Sequence, residues 1–389
     1  MKYALIEKML VQGITFVQGV ILARLLSPND FGLAAMLGIF LGVGGILAES
    51  GLASAYVVYG GEERKVFRWN VGMAVGIYAL LAIAASWIAA FYRRPILKEL
   101  TLVMGLSIVI YAASVVKMAR LQREKRFGTI SIVNLSSILA AFAVGVGMAA
   151  GGCGVWAIVG AGLASGCVRL GGLVAVGSRS GREESNDEQF KKMLGFGLKA
   201  MASGLIGSLY FHSTRLIIGR VFDPTAVGLF HRAQHWATLP GNMVNESVGR
   251  AALPALAQRE ESVKVKGRSV KWWTINVLLL WPGLAVLWIW AEEIVRFVLG
   301  AQWIDSVPYM RILMLATAFT PLSNVAEIYL KARERADLLL VGEAFKKPVQ
   351  IAALVVGALG GVEGLCWAIV VGEATSAAVN YALVRRSRK

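Results

Sequence analysis

The sequence predicts an all-α, polytopic membrane protein with about 12 transmembrane helices in two six-helix parallel repeats. Three observations carry that prediction. Of 389 residues, 57% are hydrophobic and only 16% charged, and the mean hydropathy is +0.62, more apolar surface than one soluble core buries. The apolar residues come in serial runs of about 20, the length that crosses a hydrocarbon layer of about 30 Å. A signature also returns about half a chain later: Arg24, Pro28, Gly32 and Leu33 reappear as Arg220, Pro224, Gly228 and Leu229.

The spans expected from hydropathy are 3–26, 32–58, 69–92, 97–118, 129–150 and 154–177, then 196–222, 227–256, 272–291, 308–330, 341–359 and 362–384. The first reads as a membrane helix and not a cleaved leader, because Glu7 and Lys8 interrupt its start and no small-residue cleavage pattern follows. Gly38, Gly42 and Gly45 share one face of the second and suit close helix packing. Basic connectors containing Arg64, Lys65 and Arg68, then Arg93, Arg94 and Lys98, set off the third span, and Leu121–Phe127 separates the fourth from the fifth. The sixth opens on Trp156-Ala157-Ile158-Val159, which the twelfth repeats as Trp367-Ala368-Ile369-Val370, with Ser165 and Ser376 at equal distances beyond. Glu49-Ser50 with Glu246-Ser247, Asn70-Val71 with Asn276-Val277, and Arg123-Glu124 with Arg333-Glu334 keep the same order, as an internal duplication requires. Between the halves, residues 178–188 form a polar run without apolar periodicity. The expected division is a six-helix bundle over 1–178, a cytoplasmic linker over 179–193 and a second bundle over 194–389. An even number of spans per half makes the repeats parallel. Pro240 and Pro282 are expected to kink the eighth and ninth spans.

A formal charge of +16 raises the question of nucleic acid, but the cations sit on alternate connectors. Lys2, Lys8, Arg120, Arg123, Lys125, Arg126, Lys191, Lys192, Lys264, Lys266, Arg385 and Arg386 fall on one side, and Arg24, Arg93, Arg94, Lys98, Arg220 and Arg296 on the other. That is the positive-inside bias, which places both termini in the cytoplasm and accounts for the charge with no nucleic-acid partner. Cys153, Cys167 and Cys366 are too few and too apolar in setting for a disulfide framework or a metal cluster, and read as packing residues.

An ionisable group at membrane depth costs at least about 2.5 kcal/mol, so each should face a cavity or a partner. On the seventh span Gly204, Ser208, His212, Arg215 and Gly219 share a face, and Lys8, Gln12, Thr15 and Gly19 do so on the first. These stripes read as walls of a cavity, with Arg215 the leading residue for contacting an anion. On the eighth span His231, His235, Thr238, Asn242, Glu246 and Arg250 align, while its counterpart carries Glu49. Glu246 and Arg250 fit either cavity lining or a self-neutralising i, i+4 pair. His231 and His235 lack the third ligand and carboxylate that a catalytic zinc site needs, so no metal is expected. Connectors show no phosphate loop, serine elbow or paired acids, so no catalytic residues and no enzyme activity are expected. Arg24 and Arg220, before a Pro-Gly turn, read as structural, and the Leu121–Phe127 turn as an anchor against membrane lipids.

The run Ile21–Leu33, the segment Leu121–Phe127, and Gly228-Leu229-Phe230-His231-Arg232-Ala233-Gln234 with Leu239-Pro240 resemble the polysaccharide transporter family, the Wzx-type flippases. The resemblance spans nearly the whole chain. It implies membership of the multidrug, oligosaccharidyl-lipid and polysaccharide exporter superfamily, with two six-helix bundles forming a V around a central cavity. It further implies movement of undecaprenyl-diphosphate-linked oligosaccharide (O-antigen, capsule or exopolysaccharide units) from the inner to the outer leaflet of the bacterial inner membrane. The chain departs from the family at His231 and His235, where relatives carry other residues, and it closes after the twelfth span where some relatives add two.

The mechanism so implied is alternating access. Arg215, with His212 and Arg250, draws in the diphosphate, since arginine's planar donors pair with phosphate oxygens and stay charged when partly desolvated. Gln12, Ser208 and Asn242 line the path, and Glu49 or Glu246 is the candidate for coupling H+ or Na+; no other cofactor is expected. A polysaccharide polymerase and glycosyltransferases are the expected partner proteins. The alternatives are an ion-coupled multidrug antiporter of the same superfamily, a polytopic polymerase or ligase, which normally needs a large outer loop, and a scaffold in a glycan-assembly complex.

Overall fold

The computed structural model describes residues 2–49, 51–177, 187–257, 262–333 and 335–386. Twelve helices of 21 to 35 residues occur among them: α1 (Lys2–Leu25), α2 (Pro28–Glu49), α4 (Glu63–Tyr92), α5 (Ile96–Arg123), α6 (Phe127–Ala150), α7 (Val155–Ala175), α8 (Asp187–Val221), α9 (Pro224–Ala257), α10 (Ser262–Ile289), α12 (Val307–Ala332), α13 (Ala336–Leu359) and α14 (Gly361–Arg386). Two short helices complete the set, α3 (Leu52–Tyr59) and α11 (Ala291–Val298). Among the described residues, eight helices are long and apolar enough to cross a membrane, each on a window with at most 2 charged residues.

The second expected span is broken. Gly51 has φ 64 between α2 and α3, and a Cβ there would collide with the carbonyl of Gly197, so only glycine lets the chain turn against α8. The outer connector around 292–307 is folded as well. α11 buries Ala291 and Val295 while Glu292 and Arg296 pair at 3.0 Å, and the following turn buries Trp303 completely.

Both copies of the duplicated signature are helix starts. Ser27 and Asp30 form a capping box: the Ser27 amide and hydroxyl donate to Asp30 Oδ2 at 2.9 and 2.6 Å, and the Asp30 amide donates to Ser27 Oγ at 3.3 Å. At α9 the Ala226 amide donates to Asp223 Oδ1 at 2.7 Å. In each case Pro follows the cap at the first helical position, where its missing N–H costs nothing. Arg220 lies over the Phe91 ring at 5.4 Å, in keeping with a structural role.

By packing, the chain forms two compact units, Met1–Arg220 and Val221–Lys389. The division by repeat, at 178 and 194, falls one helix earlier, because α8 packs with the first unit: Met193 shares a core with Leu52, Tyr56 and Val116, and Gly219 lies against Tyr92 and Met36. In the first unit α2 packs on α4 and α5, α4 on α5, α5 on α7, and α6 on α7. In the second the repeat-equivalent pairs recur: α9 on α10 and α12, α10 on α12, α12 on α14, and α13 on α14.

Buried polar residues also correspond. Asn70 and Asn276 are both fully buried. Asn70 donates to the Ala112 carbonyl at 3.3 Å, and Asn276 to Asn245 Oδ1 at 3.0 Å, so each ties its helix to a neighbour where water is absent. At the polar end of the first unit Arg120, 3% exposed, meets Glu63 at 3.3 Å and donates to the Gly177 carbonyl at 2.6 Å. Glu124 of the Leu121–Phe127 turn meets Arg120 at 3.6 Å and Arg126 at 3.5 Å, so this turn carries structure-forming charge beside the exposed Arg123 and Lys125.

Candidate functional site

Three helices of the first unit line an open cavity of about 470 Å³, within the volume range typical of small-molecule sites, whose mostly apolar wall carries a few polar groups. α2 supplies Gly42, Gly45 and Glu49, α5 supplies Ser107, Tyr111 and Ser114, and α7 supplies Gly162, Ser165 and Arg169. Each set steps by three or four residues, so it is one helix face. The glycines keep the space open: a Cβ on Gly45 or Gly162 would meet nothing within 4 Å. Gly42 and Gly45 were expected to serve packing. Gly45 faces open space, whereas the neighbouring Gly44 does serve packing, since its Cβ would meet Ile108 Cδ1 at 2.7 Å.

The hydrogen bonding is asymmetric. Tyr111 Oη donates to Glu49 Oε2 at 3.2 Å. Ser114 Oγ donates to the Ile110 carbonyl at 2.8 Å and Ser107 Oγ to the Met104 carbonyl at 2.5 Å, which spends their protons and leaves oxygen lone pairs as acceptors. Arg169 lines the same space, and its buried Nε has no hydrogen-bond partner among the described residues. One carboxylate, one guanidinium and several hydroxyls on otherwise apolar helices make a site that both accepts and donates with little net charge. That matches a polyol better than a bare anion.

The other expected site residues fall elsewhere. The side chains of Ser208, His212 and Arg215 lie outside the described residues, although α8 carries all three. Gln12 is exposed on α1, and Asn242 is exposed on α9. Glu246 and Arg250 form the i, i+4 pair at 3.2 Å, with both side chains more than half exposed. Of the proposed coupling carboxylates, Glu49 therefore lines the first-unit cavity while Glu246 is bound to its helical neighbour. His231 and His235 lie two to three turns inside α9. No group of three or more His, Cys, Asp or Glu fit for a metal occurs among the described residues. Cys366 is buried, but Cys153 and Cys167 are exposed, so the packing reading fits only the first of them.

Two features were not singled out from the sequence. Arg169 is an intramembrane arginine in the sixth span whose helical neighbours are small, so it forms no polar stripe. The second is a buried ionic cluster in the second unit. Lys346, 3% exposed, reaches Glu343 Oε1 at 2.6 Å, Asn380 Oδ1 at 3.1 Å and Glu327 Oε1 at 3.7 Å. Its signal was the charge inside the eleventh span.

Comparison with known proteins bears on the whole chain. Residues 21–308 match the family described as polysaccharide biosynthesis protein. The succinoglycan biosynthesis transport protein ExoT of Rhizobium meliloti is 26% identical over 381 residues, covering 96% of this chain and 77% of that one. The lipopolysaccharide biosynthesis protein WzxC of Escherichia coli is 22% identical over 367 residues, covering 92% and 74%. Among solved structures, the lipid II flippase MurJ in an inward closed conformation aligns with TM-score 0.79 at 12% identity, over 98% of this chain and 87% of that one. An inward-facing multidrug resistance MATE family transporter of the MOP superfamily aligns with TM-score 0.71 at 15% identity, over 96% and 94%. At such identities the structural likeness establishes the fold alone, whereas the sequence match covers most of the chain. The chain belongs to the polysaccharide biosynthesis protein family and has the all-helical fold of MOP-superfamily membrane transporters.

Proposed function

We propose that this protein is a flippase that carries undecaprenyl-diphosphate-linked oligosaccharide from the inner to the outer leaflet of the bacterial inner membrane by alternating access, with both termini cytoplasmic. The observation that carries the reading is the cavity between α2, α5 and α7, a hydroxyl-rich space of about 470 Å³ with Glu49 and Arg169 on its wall. A sugar both donates and accepts hydrogen bonds, and its apolar ring faces suit the glycine-lined floor. We assign this cavity to a sugar residue of the head group. The diphosphate needs net positive charge, which the Glu49-Arg169 combination does not offer, and is assigned to Arg215, with His212 nearby on the same helix face. Arg250, in the second unit, is paired with Glu246 at 3.2 Å. The polyprenyl tail stays in lipid.

Family membership and relatives named for succinoglycan transport and lipopolysaccharide biosynthesis support this reading. Glycosyltransferases then act before the transport step and a polymerase after it. Deletion of the gene should leave lipid-linked repeat units on the cytoplasmic face and remove the polymer from the surface, and Arg215→Ala should do the same at normal protein level. Normal export in that variant sinks the assignment of the diphosphate. Drug resistance on overexpression, with normal polysaccharide in the deletion, favours the antiporter reading instead.

A further inference from the structure

The second unit holds a connected ionic and polar network that the reading of the first-unit cavity does not use. Its centre is Lys346 on α13, 3% exposed and bound to Glu343 at 2.6 Å and Asn380 at 3.1 Å, with Glu327 of α12 at 3.7 Å. The Asn380 amide also donates to Glu327 Oε1 at 3.3 Å, so one side chain of α14 bridges the ammonium and the carboxylate. The rim completes the pairing: Lys347 meets Glu343 at 3.4 Å and Lys331 meets Glu327 at 4.0 Å. Farther along the α13–α14 interface, Gln350 Nε2 donates to Ser376 Oγ at 2.9 Å and to the Gly372 carbonyl at 3.2 Å. Gln350 Oε1 is buried and has no donor among the described residues.

Next to Gly372 lies Glu373. It is half-buried, twelve residues from the start of α14 and thirteen from its end, so about 18 Å from either end at 1.5 Å per residue. α14 is one of the helices apolar enough to cross a membrane. Lys346, Lys347, Glu327 and Glu343 all act on Glu373 electrostatically, but among the described residues it forms no hydrogen bond or ion pair. Counted with both charges, the network holds three cations (Lys331, Lys346, Lys347) and three carboxylates (Glu327, Glu343, Glu373). Glu327 and Glu343 are occupied by lysines, and only Glu373 is left without a direct partner.

We propose that Glu373 is a proton-binding site, and that the Lys346 network is the fixed charge against which it titrates. An unpaired carboxylate at mid-membrane carries a large desolvation cost that one proton removes, whereas the same proton added to Glu343 or Glu327 would take one of its two carboxylate partners from the buried Lys346 ammonium. The step is a simple association: one carboxylate oxygen takes a proton from water, a single O–H bond forms, and the network changes from neutral to a net charge of one. The resulting acid O–H is a donor, and the open acceptor on Gln350 belongs to the adjoining α13 surface. Protonation at this position therefore changes the charge and hydrogen bonding between α13 and α14. This assigns proton coupling to the second unit and to a residue other than Glu49 or Glu246.

The test uses full-length protein in lipid nanodiscs, with no substrate present, so that it is separable from the head-group assignment. Infrared difference spectra are recorded while the sample is acidified between about pH 8 and pH 5, the interval in which a functional proton carrier titrates. The wild type should gain the carbonyl band of a protonated carboxylic acid. Glu373→Gln should lose that band, Glu373→Asp should keep it at a shifted frequency, and Glu292→Gln, which alters an exposed ion pair, should leave it unchanged. A band of undiminished amplitude in monodisperse Glu373→Gln overturns the proposal, as does a wild type with no such band. Should Glu373→Gln not accumulate, the frequency shift in Glu373→Asp decides alone: an unshifted band places the proton elsewhere.

Discussion

Filling the first-unit cavity separates stability from transport. Gly162→Leu and Gly45→Leu each place a side chain into a space where an added Cβ has no neighbour within 4 Å. A leucine adds four heavy atoms, each of about the volume of a water molecule, about 30 Å³, so about 120 Å³ in all. That removes about a quarter of the 470 Å³ available. Since the added Cβ meets nothing and the rest of the side chain enters the cavity, overpacking strain should stay below about 1 to 3 kcal/mol, and replacing a mid-helix glycine regains about 0.5 to 1 kcal/mol of backbone entropy. The variants should therefore melt at or above the wild-type temperature in detergent while export falls at least about tenfold, equivalent to about 1.4 kcal/mol. Gly76→Leu on α4 is the control, because it too meets open space but lies outside the cavity. Export is read as surface polymer in a deletion strain carrying each variant at matched protein level. Full export by Gly162→Leu and Gly45→Leu refutes the assignment of this cavity to the head group.

Three further outcomes follow from particular contacts. Asn276→Ala leaves Asn245 Oδ1 with one donor fewer inside the second unit and should cost about 1 to 3 kcal/mol, seen as a lower detergent melting temperature. Gly364→Ala should prevent accumulation of folded protein, because its Cβ would collide with the Gly357 carbonyl across the α13–α14 hairpin; normal yield in membranes would count against that packing. Ser27→Ala and Asp223→Ala each remove a cap and should each cost about 1 kcal/mol, with similar losses of thermal stability from the two repeat-equivalent sites.

The helices were legible because membrane solvation leaves little choice: a run of about 20 apolar residues must close its own backbone hydrogen bonds. The twelve long helices fall where hydropathy placed them, and Asn70 and Asn276, matched in the duplication, are both buried. What hydropathy did not reveal was the break at Gly51, since a left-handed residue at a helix end looks like any other small residue inside an apolar run. The site was only partly legible. Polar stripes on one helix are visible as a period of 3.6, which drew attention to the faces around Arg215 and Arg250. Glu49, Tyr111 and Arg169 line one cavity from three helices, and no periodicity within a single helix shows which faces come together. Lys346 and Glu373 were visible as charges within spans, yet their roles depend on which carboxylates face them across α12 and α14. The duplicated Arg-Pro-Gly signature proved to mark helix caps, a fold signal in both halves.

The most direct test of the central claim is transbilayer movement in proteoliposomes containing the purified protein and a fluorescent polyprenyl-diphosphate oligosaccharide, read by protection from a membrane-impermeant quencher. The proposed function predicts protein-dependent movement of the glycosylated lipid, reduced at least about tenfold by Gly162→Leu, by the same 1.4 kcal/mol conversion as for export. No movement with monodisperse wild-type protein, or equal movement by the wild type and Gly162→Leu, would contradict it.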